Sequence, residues 1–216
     1  MSELLLIDKP KGWTSHDVVA KLRRLLGEKR IGHAGTLDPN ATGLLIVGVG
    51  REETKKLGSI AKDTKKEYIA TITLGQSRDT DDIEGVIVEE NESVVPTEEE
   101  VKTSIGHFLG EQSQIPPAYS AIKKDGHKSY DLARAGKEVI MEPRQVTVFE
   151  AELLEYMYPT IVVRYVVSSG TYIRSLARDL GKDLGTFAFL SDLRRTKIGD
   201  YSVENARSLD SFEANS

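Results

Sequence analysis

Apolar positions along the chain fall into two periods, and their alternation predicts a mixed α+β protein. Leu4–Ile7 reads as a short strand that Asp8 ends, and Lys9-Pro10-Lys11-Gly12 turns the chain. Thr14 or Ser15 caps a helix whose Val18, Val19, Leu22, Leu25 and Leu26 recur at helical spacing until Gly27 stops it. Leu44–Val49 reads as a buried strand, residues 51–61 as a helix, and Lys66–Leu74 as a strand with Tyr68, Ala70, Ile72 and Leu74 on one face. A polar loop over 75–82 and a short strand at Val86–Val88 follow. Thr97-Glu98-Glu99-Glu100 is a capping box that opens a helix with Val101, Ile105, Phe108 and Leu109 inward. The prolines of 114–121 hold that stretch extended, and a short basic helix is expected near Lys128–Ala135, ended by Gly136. Strands at about 145–157 and 160–167 form a hairpin around Pro159. A helix from Ser169-Gly170-Thr171 to Leu180 turns Ile173, Leu176, Ala177 and Leu180 inward, and a last strand lies near 192–200.

The interval 32–43, Gly-His-Ala-Gly-Thr-Leu-Asp-Pro-Asn-Ala-Thr-Gly, fits neither period. Pro39 disfavours the α region for Asp38, and the glycines admit backbone geometries closed to other residues. Local grammar favours a plain tight turn built on Asp38, Pro39 and Asn40. A rigidly presented carboxylate is the other reading.

Composition narrows the choice. With 216 residues, 39% hydrophobic and 29% charged, the chain suits a globular fold with a good core. No apolar run is long enough to span a bilayer, and the N-terminus lacks the basic leader and apolar stretch of a secretory signal. The absence of cysteine excludes disulfides and thiolate metal sites and fits a reducing cytoplasm. The net charge of −5 speaks against a polyanionic partner until its distribution is considered. Residues 79–111 hold eleven Asp and Glu against Lys102 alone, a local balance of −10, which leaves +5 for the rest. Basic groups gather at Lys21, Arg23 and Arg24, at Lys29 and Arg30, at Lys62, Lys65 and Lys66, at Lys123, Lys124 and Lys128, and at Arg194, Arg195 and Lys197. One positive face toward a nucleic acid is compatible with that pattern, as are solvated surface positions.

Common site motifs are missing. Gly48-Val49-Gly50 lacks the third glycine of a dinucleotide fingerprint, and there is no P-loop. His16, His33, His107 and His127 are scattered without ligand spacing, and no serine elbow occurs. Asp38 remains as the conspicuous carboxylate. A nucleophilic carboxylate in a dry pocket needs a neighbouring cation to stay ionised, and Arg174, early in its helix, could supply one or could simply be a solvent-facing arginine. Tyr68 could be core or a stacking platform.

Several stretches, in order, resemble the TruB family of tRNA pseudouridine-55 synthases along nearly the whole chain. They are Asp8-Lys9-Pro10-Lys11-Gly12-Trp13-Thr14-Ser15, Gly32 through Pro39 with Ala41-Thr42-Gly43, Lys66-Glu67-Tyr68, Gly75 through Asp82, Gln114-Ile115-Pro116-Pro117 with Tyr119-Ser120-Ala121, Ser169 through Arg174, and Leu193-Arg194-Arg195. The resemblance implies a pseudouridine synthase catalytic fold, α+β, with a large mixed, mostly antiparallel sheet flanked by helices and loops. It implies isomerisation of uridine to pseudouridine in the TΨC loop of tRNA, by base flipping, glycosidic cleavage initiated by Asp38, and rejoining through carbon. Tyr68 resembles the tyrosine that stacks on the base, Arg174 the arginine paired with the aspartate, Leu193 an apolar wall, and His33 a histidine beside the flipped nucleotides. Lys9 and Pro10 would support the pocket. Tyr172, Lys123 and Lys128 are further expected substrate contacts.

The same resemblance implies no cofactor and no metal, the tRNA T-arm as partner, no membrane, a monomer and a cytoplasmic location. A single catalytic domain over 1–216 is expected, with an insertion at about 122–145 that closes on RNA and is poorly ordered without it, and without a C-terminal RNA-binding (PUA) domain. Two rivals predict different behaviour: a non-catalytic RNA-folding protein, and a carboxylate-metal nuclease using Asp38, Asp79 and Asp82 that depends on divalent ions.

Overall fold

The computed structural model describes residues 2–91, 93–119, 123–124, 127–128 and 141–212. They form two compact units, each considered by itself: Met1–Ile69 with Tyr165–Ser169 and Leu193–Ser216, and Ala70–Arg164 with Gly170–Asp192.

In the first unit, β1 (Glu3–Lys9) runs antiparallel to β3 (Thr42–Val49), from Glu3 opposite Val49 to Lys9 opposite Gly43. The other edge of β3 has two partners. β2 (Ile31–Ala34) is antiparallel to it, ending with Ala34 opposite Ile46, while the end of β12 (Ala188–Ile198) pairs parallel at Thr42 and Gly43. The apolar run 44–49 is continuous because both faces of β3 are covered. Leu45, Val47 and Val49 pack with Val18, Val19 and Leu22 of α1 (Ser15–Leu26), and Leu44 and Ile46 cluster with Leu57 of α2 (Gly50–Lys62). Thr14 caps α1 in a capping box with Asp17, and Gly27 closes it in the left-handed region at φ 64°.

β4 (Lys66–Leu74) gives its first residues to this unit and its remainder to the second. There it continues into β5 (Gln76–Arg78), which pairs antiparallel with β6 (Ile87–Glu90). α3 (Glu98–His107) leads to β7 (Gly110–Gln114), which is antiparallel to β10 (Arg144–Met157). β8 (Lys123–Lys124) and β9 (His127–Lys128) form a small pair of their own. β11 (Thr160–Val167) lies beside β10, and α4 (Ile173–Asp183) precedes β12. β13 (Tyr201–Ser202) folds back on β12, and two 3-10 turns at Val203–Asn205 and Leu209–Phe212 follow. The class is the expected α+β, with helices on a large, mostly antiparallel sheet.

Several boundaries differ from expectation. The stretch 32–43 is not all loop, since His33 pairs opposite Val47 in β2 and the irregular part is 35–41. The strand expected at Val86–Val88 is Ile87–Glu90, with every residue exposed. β5 and β7 carry too little apolar alternation to stand out in sequence. The α3 helix ends at His107, so Phe108 is its C-cap and Leu109, expected inward, is 51% exposed. α4 begins at Ile173 with Tyr172 as N-cap, later than Ser169, because φ 85° at Gly170 breaks the run. The last long strand covers 188–198 and a turn at Gly199 ends it. The basic helix expected near Lys128–Ala135 and the closing insertion lie outside the described residues, beyond the backbone of β8 and β9.

Candidate active site

Asp38 stands exposed at the start of a turn in which the Ala41 amide donates to the Asp38 carbonyl at 3.1 Å. Pro39 at the second position presets that turn. Several anchors surround the turn. Ser15 Oγ accepts from the Leu37 amide at 2.9 Å and donates to the Leu37 carbonyl at 3.2 Å. The Gly12 amide donates to Pro39 O at 2.9 Å. Lys9, wholly buried, donates through Nζ to Pro10 O at 3.0 Å, Trp13 O at 2.6 Å and Pro39 O at 3.1 Å. Burial is the main reason that the Lys9 ammonium is lowered from 10.5 to about 8, and the Arg195 charge adds to it while Asp38 opposes it. Arg195 completes the cradle with Nε to Leu44 O at 2.8 Å and Nη2 to Gly35 O at 2.9 Å. The backbone of the Asp38 turn is therefore fixed from several directions, and Asp38 itself is exposed.

The first unit also holds His33, Tyr68 and Leu193, each half-buried. His33 lies on β2, its pKa lowered by burial and then by Arg195 and His16, and its buried Nδ1 has no hydrogen-bond partner. Tyr68 shares the face of Ala70, Ile72 and Leu74 as expected, but those three are buried and Tyr68 is not. Lys66, also on that face, is buried with Nζ on Ala61 O at 2.6 Å and Thr64 O at 2.7 Å. Leu193 lies on the strand beside β4, its carbonyl accepting from Thr42 Oγ1 at 3.5 Å.

In the second unit Arg174 is 7% exposed, so the solvent-facing alternative falls. Its Nη1 meets Asp82 Oδ2 at 3.3 Å and donates to Thr80 O at 3.1 Å, and its Nη2 donates to Tyr119 O at 3.0 Å. Asp82 is fixed by Thr80 Oγ1 at 2.6 Å and the Glu84 amide at 3.1 Å. Arg178 pairs with Asp81 at 2.8 Å, and burial still raises the Asp81 pKa. Two residues that sequence reasoning passed over complete this cluster. Arg78 lies 4.4 Å over the Phe189 ring and donates to Ile83 O and Gly85 O at 3.2 and 2.8 Å, closing the 79–86 turn. Gln114, 2% exposed, brackets Tyr172 by accepting from its amide at 2.8 Å and donating to its carbonyl at 3.1 Å. Its place before Ile115-Pro116-Pro117 was the available signal. The side chains of Lys123 and Lys128 lie outside the described residues.

The basic clusters are only partly surface. Lys66 and Arg195 are buried, and Arg194 makes a two-pronged pair with Asp8 at 3.1 and 2.8 Å. Net charge along a sequence does not show which cations the fold spends internally.

Comparison with known proteins gives this arrangement its place. A solved pseudouridylate synthase, 18% identical, aligns with 99% of this chain and 73% of its own at a TM-score of 0.50, so the fold is one that pseudouridylate synthases use. The family model described as the TruB family pseudouridylate synthase N-terminal domain matches residues 23–173, and the tRNA pseudouridylate synthase B C-terminal domain matches residues 174–216. The chain belongs to the TruB family. The tRNA pseudouridine synthase B of Thermobifida fusca is 48% identical, covering 98% of this chain and 74% of the relative, and that of Leifsonia xyli is 49% identical, covering 98% and 72%. A chain from a Cbf5-Nop10-Gar1 complex superposes with a TM-score of 0.73 at 30% identity over 96% of this chain, which spans only 52% of that one.

Proposed function

We propose that this protein isomerises uridine to pseudouridine at position 55 in the TΨC loop of tRNA, with Asp38 initiating the reaction. The observation that carries the reading is the loop itself: an exposed aspartate on a turn tied down by Lys9, Gly12, Ser15 and Arg195, in a TruB-family chain. The target uridine must leave its stack before its glycosidic bond can be reached, at a cost of roughly a few kcal/mol. RNA loops, whose bases splay readily, keep that cost low. The base then covers Asp38 and strips its water, which strengthens the electrostatics of a carboxylate already fixed in place. The C1′–N1 bond breaks, the base turns, and C1′ bonds to C5; the C5 proton leaves and N1 is protonated. Atoms and electrons balance within the substrate, so the reaction calls for no external oxidant, reductant or group donor.

In this reading Tyr68 stacks on the target base, Arg174 contributes positive charge to the reaction, and Lys9 keeps Asp38 in register. His33, Leu193, Tyr172, Lys123 and Lys128 contact the nucleotides around the target. The working form is a monomer acting on the tRNA T-arm in the cytoplasm, away from any membrane. Incubation with an unmodified tRNA transcript, followed by mapping of pseudouridine, tests the proposal beside Asp38→Asn. Wild type converts the loop uridine; the variant binds the transcript, with affinity falling as salt rises, and leaves it unchanged. An unconverted uridine with wild type, or equal conversion by Asp38→Asn, ends this reading.

A further inference from the structure

Arg195 is 1% exposed, and among the described residues no carboxylate pairs with it. A buried guanidinium without a counter-charge is expensive unless its hydrogen bonds do structural work. Both recorded acceptors bracket the loop that carries Asp38: Gly35 O at its entry and Leu44 O just past its exit. Leu44 lies in the interval of β3 between Ile46, the last residue paired with β2, and Gly43, paired with β12. The Arg195 side chain supplies the bond that neither strand provides there. The backbone of the same residue pairs with Gly43, so closely that a Cβ on Gly43 would lie 2.2 Å from Arg195 O. At Gly35, where φ is 77°, a Cβ would lie 3.3 Å from Nη1, so the guanidinium sits close against the loop.

We infer that Arg195 is a positioning residue for Asp38, a buried clasp across both ends of the turn rather than part of an RNA-facing basic patch. This rests on the proposed function, in which Asp38 reacts. Arg195 itself touches no substrate. Its charge also lowers the proton affinity of Lys9 and His33, consistent with its place beneath the loop.

The test uses the full chain with R195M and R195K, an unmodified tRNA transcript, single-turnover pseudouridine formation at saturating enzyme, tRNA binding, thermal melting and amide exchange. R195M keeps volume and removes charge and donors. Misplacement of a reacting group by about 1 Å costs on the order of a hundredfold, so the R195M single-turnover rate falls by about that factor while tRNA affinity stays within about twofold. R195K, which can still donate to one carbonyl, recovers part of the rate. Exchange accelerates at the Leu37 and Ala41 amides and not in α2. Should R195M fail to fold, R195K carries the test, with a reduced rate at unchanged affinity and faster exchange at Leu37 and Ala41. A rate that falls only in step with the folded fraction overturns the inference. Weakened binding with an intact saturated rate also overturns it, since Arg195 would then be an RNA contact. If wild type modifies no uridine the proposed function fails instead, and local exchange at Leu37 and Ala41 still decides whether Arg195 holds the loop.

Discussion

The Lys9 ammonium donates to the Pro39 carbonyl at 3.1 Å, one residue beyond Asp38, while it also serves Pro10 O and Trp13 O. Three acceptors require three N–H bonds. A neutral amine has two. Because burial brings Lys9 from 10.5 to about 8, one of these bonds is lost as pH rises through that value, and the turn loosens. Single-turnover isomerisation is therefore expected to decline above about pH 8. In Lys9→Arg, whose guanidinium stays protonated, the absolute rate drops but the decline disappears. An identical basic limb in both proteins would show that Lys9 is not its source.

Stability has the opposite pH trend in the same window. Lys66 is also lowered from 10.5 to about 8, chiefly by burial, with Arg195 adding to it. Between those values the unfolded chain binds a proton that the folded chain does not, so the contribution to stability rises with pH. Each such lysine adds at most about 1.4 kcal/mol per pH unit. Urea unfolding at pH 7.5 and 9.5 is expected to show a larger gain for wild type than for Lys66→Met. Equal gains would mean that Lys66 stays charged in the folded state. Well above pH 10 the buried Tyr165, its phenol pushed far up, works against folding because only the unfolded chain can ionise it.

Gly43 meets Arg195 backbone to backbone, and its φ of 99° is outside the range of ordinary residues. Gly43→Ala would place a methyl 2.2 Å from Arg195 O, so the parallel pairing of β3 and β12 has to open. A loss of more than about 2 kcal/mol is expected in denaturant unfolding, together with lower activity, since the exit of the Asp38 loop moves. A neutral Gly43→Ala would show that the strands shift cheaply and that the loop is not pinned there.

How far the sequence revealed this molecule depended on the range of the interactions involved. α1 was readable to its caps, because Thr14, Asp17 and Gly27 act within a turn of the helix they bound. β3 was readable because both of its faces are buried. The Asp38 turn was readable in type, but local grammar could not say that Ser15, Lys9 and Arg195 would converge on it from distant positions. β5 and β7 escaped because Gln76–Arg78 and Gly110–Gln114 are short and polar and carry no apolar alternation. Arg174 and Arg195 looked like surface cations because burial of a charge depends on long-range partners: Asp82, Thr80 and Tyr119 for one, Gly35 and Leu44 for the other.

The Arg174–Asp82 pair separates an isomerase from a metal-dependent nuclease. Asp82 Oδ2 faces Arg174 at 3.3 Å, and Thr80 Oγ1 occupies Oδ1 at 2.6 Å, so this carboxylate already serves protein donors. Asp79 Oδ1 likewise accepts from the Val86 amide at 2.9 Å. Asp82→Asn removes the charge of a carboxylate that pairs with a guanidinium only 8% exposed at the side chain. Breaking such a pair costs roughly 3–5 kcal/mol when both partners are deeply buried. The 16% exposure of Asp82 puts the expected loss near the lower end of that range. A metal-binding carboxylate behaves in the other direction, since relieving crowded negative charge tends to stabilise the metal-free protein. Asp82→Asn is accordingly expected to melt earlier and isomerise more slowly, with wild-type activity unchanged by a chelator. A variant that melts later, alongside chelator-sensitive cleavage of RNA by wild type, would make Asp82 a metal ligand and this protein a nuclease.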